Sequence, residues 1–194
     1  MKQDIILSGV GGQGILSIAT IIGSAALRQG LHLKQAEVHG MSQRGGDVQS
    51  NLRLSSETIY SDLIPKGGAD LIVSLEPMEA LRYLPYLSED GWVITNTAPF
   101  VNIPNYPDME KLTAELSALP HVVALDVDAV AKELGNPRGA NMVLLGAMAA
   151  VLDILEPDAL REGIRRIFAR KGELIVENNI KAFDAGFRYA QNKR

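Results

Sequence analysis

The sequence predicts an α/β fold: a Rossmann-like three-layer sandwich with a mostly parallel sheet, a β-hairpin elaboration and a helical C-terminal third. Three observations predict it. A short apolar run, Asp4 to Ser8, leads at once into Gly9-Val10-Gly11-Gly12-Gln13-Gly14 and then a helix-compatible segment, Ile15 to Gln29. From Ala69 to Leu134 apolar runs alternate with helical patterns, the order that covers both faces of a parallel sheet with helices. After Leu134 only helical periods remain.

Gly9, Gly11 and Gly14 fit the spacing G-x-G-x-x-G. The first Gly permits the tight turn, the second lets a ligand approach the backbone, and the third lets helix and strand pack closely. Backbone N–H groups at the start of the following helix favour an anion. Gly12 and Gln13 belong to the same candidate loop. Two readings stand: a phosphate-binding loop, or glycines that serve only the turn and the packing.

At 194 residues the chain is expected to form a single domain over 1–194. A net charge of −4 argues against a broad nucleic-acid footprint. With no Cys, the chain has no disulfide, no thiolate nucleophile and no Cys ligand for an iron–sulfur cluster. His32, His39 and His121 are the only histidines, and their spacing forms no metal motif. Strand residues follow Met1 directly, leaving no room for a signal peptide. The apolar run Met142 to Leu152 is shorter than the roughly 20 residues a bilayer needs. A cytoplasmic protein is expected.

Gly30 stops the first helix, and Leu31 to Val38 reads as the second strand. Glu37 lies 23 residues past Gly14, near the place where an acid bonds the ribose of a nicotinamide cofactor. An ordinary strand-end acid is the other reading. His39 to Asp47 is then Gly-rich and polar where a nicotinamide fold would start a helix. Ser42, Arg44, Gly45 and Gly46 make it a candidate loop for an anion, since Arg offers a planar fork of donors and Gly admits close approach. A turn whose Arg44 pairs with Glu37 or Asp47 is the alternative. Val48 to Leu54 alternates as a half-buried strand, and Thr58 to Tyr60 is expected to return beside it as a hairpin. Its edge is a candidate contact for a partner chain.

Ala69 to Ser74, Trp92 to Asn96 and Val122 to Leu125 are the next strands. Helices are expected from Pro77 to about Pro85, from Asp108 to Leu119 and from Val127 to Leu134. Thr97 to Pro107, with three prolines, is a loop. Asn141 to Leu155 is a helix of small and aliphatic residues, suited equally to the core and to a subunit interface. Pro157 to Ala169 and Glu173 to Gln191 complete the helices. Arg161, Arg165, Arg166, Arg170 and Lys171 are expected on a solvated face.

No nucleophile elbow, P-loop or defensible pair of carboxylates is present. Two blocks, Gly9-Val-Gly-Gly-Gln-Gly-Ile-Leu16 and Glu37-Val-His-Gly-Met-Ser-Gln-Arg-Gly-Gly46, together with Asn141-Met-Val-Leu-Leu-Gly-Ala147, resemble the gamma subunit or gamma domain of 2-oxoacid:ferredoxin oxidoreductases. Within that family the chain looks most like the beta subunits of the indolepyruvate enzymes. The resemblance runs over essentially the whole chain. It implies an accessory role in the oxidative decarboxylation of a 2-oxoacid to an acyl-coenzyme A. Thiamine diphosphate and iron–sulfur clusters would sit on a larger partner subunit, ferredoxin would take the electrons, and coenzyme A would be co-substrate. It implies no catalytic residue and no metal on this chain. Two alternatives stay open: a self-contained NAD(P)-binding oxidoreductase, and a non-catalytic nucleotide-binding homo-oligomer. A homodimer of the isolated chain is also open.

Overall fold

The computed structural model describes residues 1–39 and 45–193. Ser42 and Arg44 of the second candidate loop lie outside the described residues.

Six strands form one sheet in the order β2-β3-β1-β4-β5-β6. They are β1 (Lys2–Val10), β2 (His32–His39), β3 (Asp47–Ser55), β4 (Ala69–Ser74), β5 (Leu87–Asn96) and β6 (Val122–Leu125). β1, β4, β5 and β6 are mutually parallel, as their helical crossovers require. β3 runs antiparallel to β1 on one side and to β2 on the other. The hairpin is therefore β2–β3, and residues 58–60 are not a strand. Both edges of β3 are already occupied, so a returning segment finds no free backbone groups to pair with. Tyr60 is instead 92% exposed. The chain after β3 is held over the sheet face by Arg53, whose Nη1 donates to the carbonyls of Ser61 and Leu63, both at 3.0 Å. The same guanidinium donates two bonds, of 2.8 and 3.0 Å, to the fully buried carboxylate of Asp4.

Strand alternation divides the core in two. Ile5, Leu7, Leu52, Leu71, Val73 and Ile94 face α1 (Ile15–Arg28) and the C-terminal helices. Ile6, Ile72 and Val93 face Ala80 and Tyr83 at α2 (Pro77–Arg82) and Leu116 of α3 (Met109–Ser117). β5 begins five residues before the expected Trp92, because the acidic Glu89-Asp90 and Gly91 interrupt its apolar pattern. A short α4 (Val127–Glu133) follows β6.

Every residue from Met142 to Ala149 of α5 (Ala140–Ala149) is buried inside this chain. The core reading therefore holds over the subunit-interface one. Its partner is α7 (Glu173–Gln191), which crosses it backbone against backbone: a Cβ on Gly146 would overlap the carbonyl of Phe183, and one on Gly186 that of Val143. α5 ends six residues before the expected Leu155. Gln3 Oε1 accepts from the amides of Asp153 and Ile154, at 3.2 and 3.3 Å, and pins the turn there. α6 (Pro157–Phe168) packs beside α7. Arg161 is not simply solvated: it pairs with Asp158 and Asp184 at 2.7 and 2.8 Å and lies over the Phe183 and Phe187 rings.

Candidate functional site

The candidate site lies beyond the carboxyl ends of β1, β4 and β5, where α/β sheets bind ligands. Gly14 is the N-cap of α1 with φ of +90°, in the left-handed region. A Cβ there would come within 2.6 Å of Asn141 Nδ2, which donates to the Gly14 carbonyl at 3.3 Å. At Gly9 a Cβ would sit 2.7 Å from Ile15 Cδ1 and 2.8 Å from Gln13 Oε1, so a larger residue would displace the ends of both side chains.

Val10 pairs with Asp47, so the end of β1 meets the start of β3. Gly11 N–H donates to the Gly46 carbonyl at 2.8 Å, and Gly45 N–H to the Gly11 carbonyl at 3.4 Å. The two glycine segments, distant in the chain, thus form one continuous platform of Gly9, Gly11, Gly12, Gln13, Gly14, Gly45 and Gly46. Gly12 is exposed at its crest. A cavity of about 410 Å³ on one side is lined by Gly11, Gly12, Leu16, Glu37 and His39. A cavity of about 390 Å³ on the other is lined by Gly12, Gly14, Asn96, Asp128, Arg138 and Asn141.

Gln13 does something the spacing does not announce. Its Oε1 accepts from Val10 N–H at 2.7 Å, and its Nε2 donates to the Leu75 carbonyl at 3.1 Å. Asn96 Nδ2 donates to the same carbonyl at 3.2 Å, and Asn96 Oδ1 accepts from Ala98 and Val127. The β1/β4 crevice, where the pyrophosphate of a dinucleotide lies in nicotinamide folds, is therefore bridged by a side chain of the loop itself. Glu37 is also displaced from β1: β3 lies between them, two strand spacings or about 10 Å. Neither feature fits the self-contained dinucleotide arrangement.

Three residues beside the platform have no counterpart in the glycine pattern. Glu76, wholly buried, is the N-cap of α2 and accepts from Glu79 N–H at 2.9 Å. Its other oxygen accepts from Phe100 N–H at 3.3 Å and from the Tyr106 hydroxyl. Asn102 Nδ2 donates to the Gly45 carbonyl at 2.8 Å. Burial, followed by the bond to Glu76, raises the Tyr106 phenol above its ordinary value. Burial likewise raises the neighbouring Glu79 carboxyl, against the opposing pull of its two-pronged pair with Arg82 at 2.8 and 3.1 Å. The one sequence signal available for Glu76 was its place before Pro77 at the start of a helix. Nothing marked Asn102 or Tyr106. Among the described residues, no group of three or more His, Asp or Glu is placed to hold a metal ion.

Among the described residues the platform presents backbone and no nucleophile, and the amides of Gly11 and Gly45 and the Gln13 carboxamide are taken up in holding its loops together. The profile of the pyruvate ferredoxin/flavodoxin oxidoreductase family matches residues 4–189. The chain belongs to that family. Within it, the chain is 38% identical to the indolepyruvate oxidoreductase subunit IorB of Pyrococcus horikoshii, over 98% of each chain. Among solved structures of the family, the keto/oxoacid ferredoxin oxidoreductase gamma subunit of Geobacter sulfurreducens superposes with a TM-score of 0.70 at 26% identity, covering 98% of this chain and 99% of that one. The 2-oxoglutarate:ferredoxin oxidoreductase of Magnetococcus marinus, solved with 2-oxoglutarate, coenzyme A and succinyl-CoA, gives 0.77 at 25% identity. That match covers 98% of this chain but 31% of the Magnetococcus chain, so the unit also exists as part of a longer polypeptide. This family's members are subunits of 2-oxoacid:ferredoxin oxidoreductases, and the accessory-subunit expectation agrees with that. No described helix is long and apolar enough to cross a membrane.

Proposed function

We propose that this chain is the gamma-type accessory subunit of a cytoplasmic 2-oxoacid:ferredoxin oxidoreductase that acts on indolepyruvate or a related aryl or branched 2-oxoacid. The observation that carries the reading is the match to an indolepyruvate oxidoreductase subunit over 98% of both chains. In the overall reaction the 2-oxoacid loses carbon dioxide, its acyl group joins the thiol of coenzyme A, and two electrons leave on ferredoxin. Thiamine diphosphate, on the larger partner subunit, supplies the carbanion stabilisation this decarboxylation needs. Thiolate-ligated clusters also belong on that partner, because this chain has no Cys.

This chain's own contribution is positional. Gly11, Gly12 and Gly14 bring backbone close to whatever sits on the platform, and the first turn of α1 favours negative charge. The phosphates of coenzyme A, or an acidic segment of the partner, match that surface. Ser42 and Arg44 stay candidate anion ligands in this reading by their chemistry and their place in the sequence alone.

Co-expression with a thiamine-binding oxidoreductase chain from the same organism tests the reading. A stable complex that reduces ferredoxin with indolepyruvate and coenzyme A is the expected result, with this chain inert alone and sized separately as monomer or homodimer. NADH binding by the isolated chain, seen as a change in cofactor fluorescence at sub-millimolar concentration, would replace the proposal with the dinucleotide alternative.

A further inference from the structure

The segment 97–107 between β5 and α3 is long for a connection within an α/β unit and carries Pro99, Pro104 and Pro107. It is tied down along its length. Ala98 N–H donates to Asn96 Oδ1 at 3.1 Å. Phe100 N–H and the Tyr106 hydroxyl both donate to Glu76 Oε1, so one buried carboxylate grips the two limbs of the strap. Asn102 lies between those limbs, and its Nδ2 reaches the Gly45 carbonyl at 2.8 Å.

The other half of the Asn102 carboxamide is the informative one. Its Oδ1 is buried with no hydrogen-bond partner. Flipping the amide would only set that oxygen against the Gly45 carbonyl, acceptor against acceptor. The donor on Gly45 is thus kept at the expense of an unsatisfied acceptor. Buried polar atoms seldom go unpaired, and departures from local satisfaction concentrate where function dictates geometry. What the donor holds is the peptide unit that joins Gly45 to Gly46. Gly46 in turn accepts from Gly11 at 2.8 Å.

We propose that Asn102 and Tyr106 are positioning residues: through Glu76 they clamp the proline-rich strap onto the Gly45–Gly46 turn and so hold that turn against Gly11. The clamp sets the shape of the platform without touching what lies on it. Only for the identity of that ligand does it rest on the coenzyme A reading above.

The test uses the assembled oxidoreductase carrying Asn102→Ala, Asn102→Asp or Tyr106→Phe. Asn102→Asp keeps the size of the side chain but replaces the donor with an acceptor, so it matches Asn102→Ala rather than wild type. Hydrogen exchange of the Gly11 amide should run about ten-fold faster in both Asn102 variants, in line with losing one hydrogen bond's support. Tyr106→Phe should show a smaller change in the same direction. The KM for coenzyme A should rise roughly five- to ten-fold, with kcat and the KM for the 2-oxoacid within about two-fold of wild type. A Gly11 amide that exchanges at the wild-type rate in both Asn102 variants overturns the clamp. Faster exchange with an unchanged KM for coenzyme A upholds the clamp and refutes coenzyme A as what the platform meets.

Discussion

At the level of single residues, a side-chain amide ties the glycine loop to the sheet. That amide belongs to Gln13. Its carboxamide serves as acceptor to Val10 N–H and donor to the Leu75 carbonyl at once, tying the glycine loop to the end of β4. No other side chain of that length does both. Gln13→Ala loses both bonds and leaves the Val10 amide short of a partner. Gln13→Glu keeps the acceptor for Val10 but turns a carboxylate oxygen toward the Leu75 carbonyl. Each variant should lower the free energy of unfolding by about 1–3 kcal/mol, and the glutamate should be no better tolerated than the alanine. Urea unfolding of the three proteins at neutral pH measures this. An intact Gln13→Glu protein of wild-type stability would mean that the Leu75 bond carries no weight.

At the level of elements, what could be read in advance follows from what is local. β1, the glycine turn and α1 are adjacent in the chain, and each has its own periodicity, so they stand out in the sequence. The partners of β3 do not. Alternation at Val48 to Leu54 says only that one face is buried, and the choice of β1 and β2 over residues 58–60 is made by distant backbone. Gly45 and Gly46 were visible as a loop, but their bond to Gly11 was not. Asn102 and Tyr106 sit in a segment with no period at all, so only the fold brings them to Gly45 and Glu76. The small residues of α5 were legible as a demand for close packing, without the identity of the neighbour. That neighbour is α7, and it is unforgiving: the missing Cβ of Gly146 faces the Phe183 carbonyl, which cannot rotate away as a side chain could. Gly146→Ala should therefore destabilise the chain by about 3 kcal/mol or more, despite the better helix propensity of Ala. Gly30→Ala, where a Cβ meets nothing within 4 Å, isolates the cost of a positive φ from that of overlap. Thermal unfolding of both variants separates the two effects, and comparable losses would contradict the backbone contact between α5 and α7.

At the level of the whole molecule, the two sides of the sheet differ in their chemistry. The α1/α5/α7 side is a large, apolar cluster, while the α2/α3 side is smaller and packs beside Glu76, Glu79, Tyr83 and Tyr106. Proton-linked stability should therefore reside mainly on the second side. Tyr83 is 7% exposed, and burial, helped by the nearby Glu79 carboxylate, pushes its phenol from 10.0 up to about 12. A phenol whose folded value is raised holds its proton more tightly in the native state than in the unfolded one. Its stabilising contribution is fully present below pH 10 and is lost as pH rises toward the folded value of about 12. A shift of that size corresponds to roughly 2–3 kcal/mol at most. Tyr106, raised for the same reason, adds to the loss in the same direction. Tyr83→Phe removes the ionisable group and keeps the ring, so its stability curve should be flatter than wild type above pH 10, with the two curves parallel at neutral pH. Denaturant unfolding across that range, read alongside tyrosinate absorbance, supplies the comparison. Identical alkaline slopes for wild type and Tyr83→Phe would place the linked protons elsewhere, and the strap anchored by Tyr106 and Glu76 would then be the first segment to probe by hydrogen exchange.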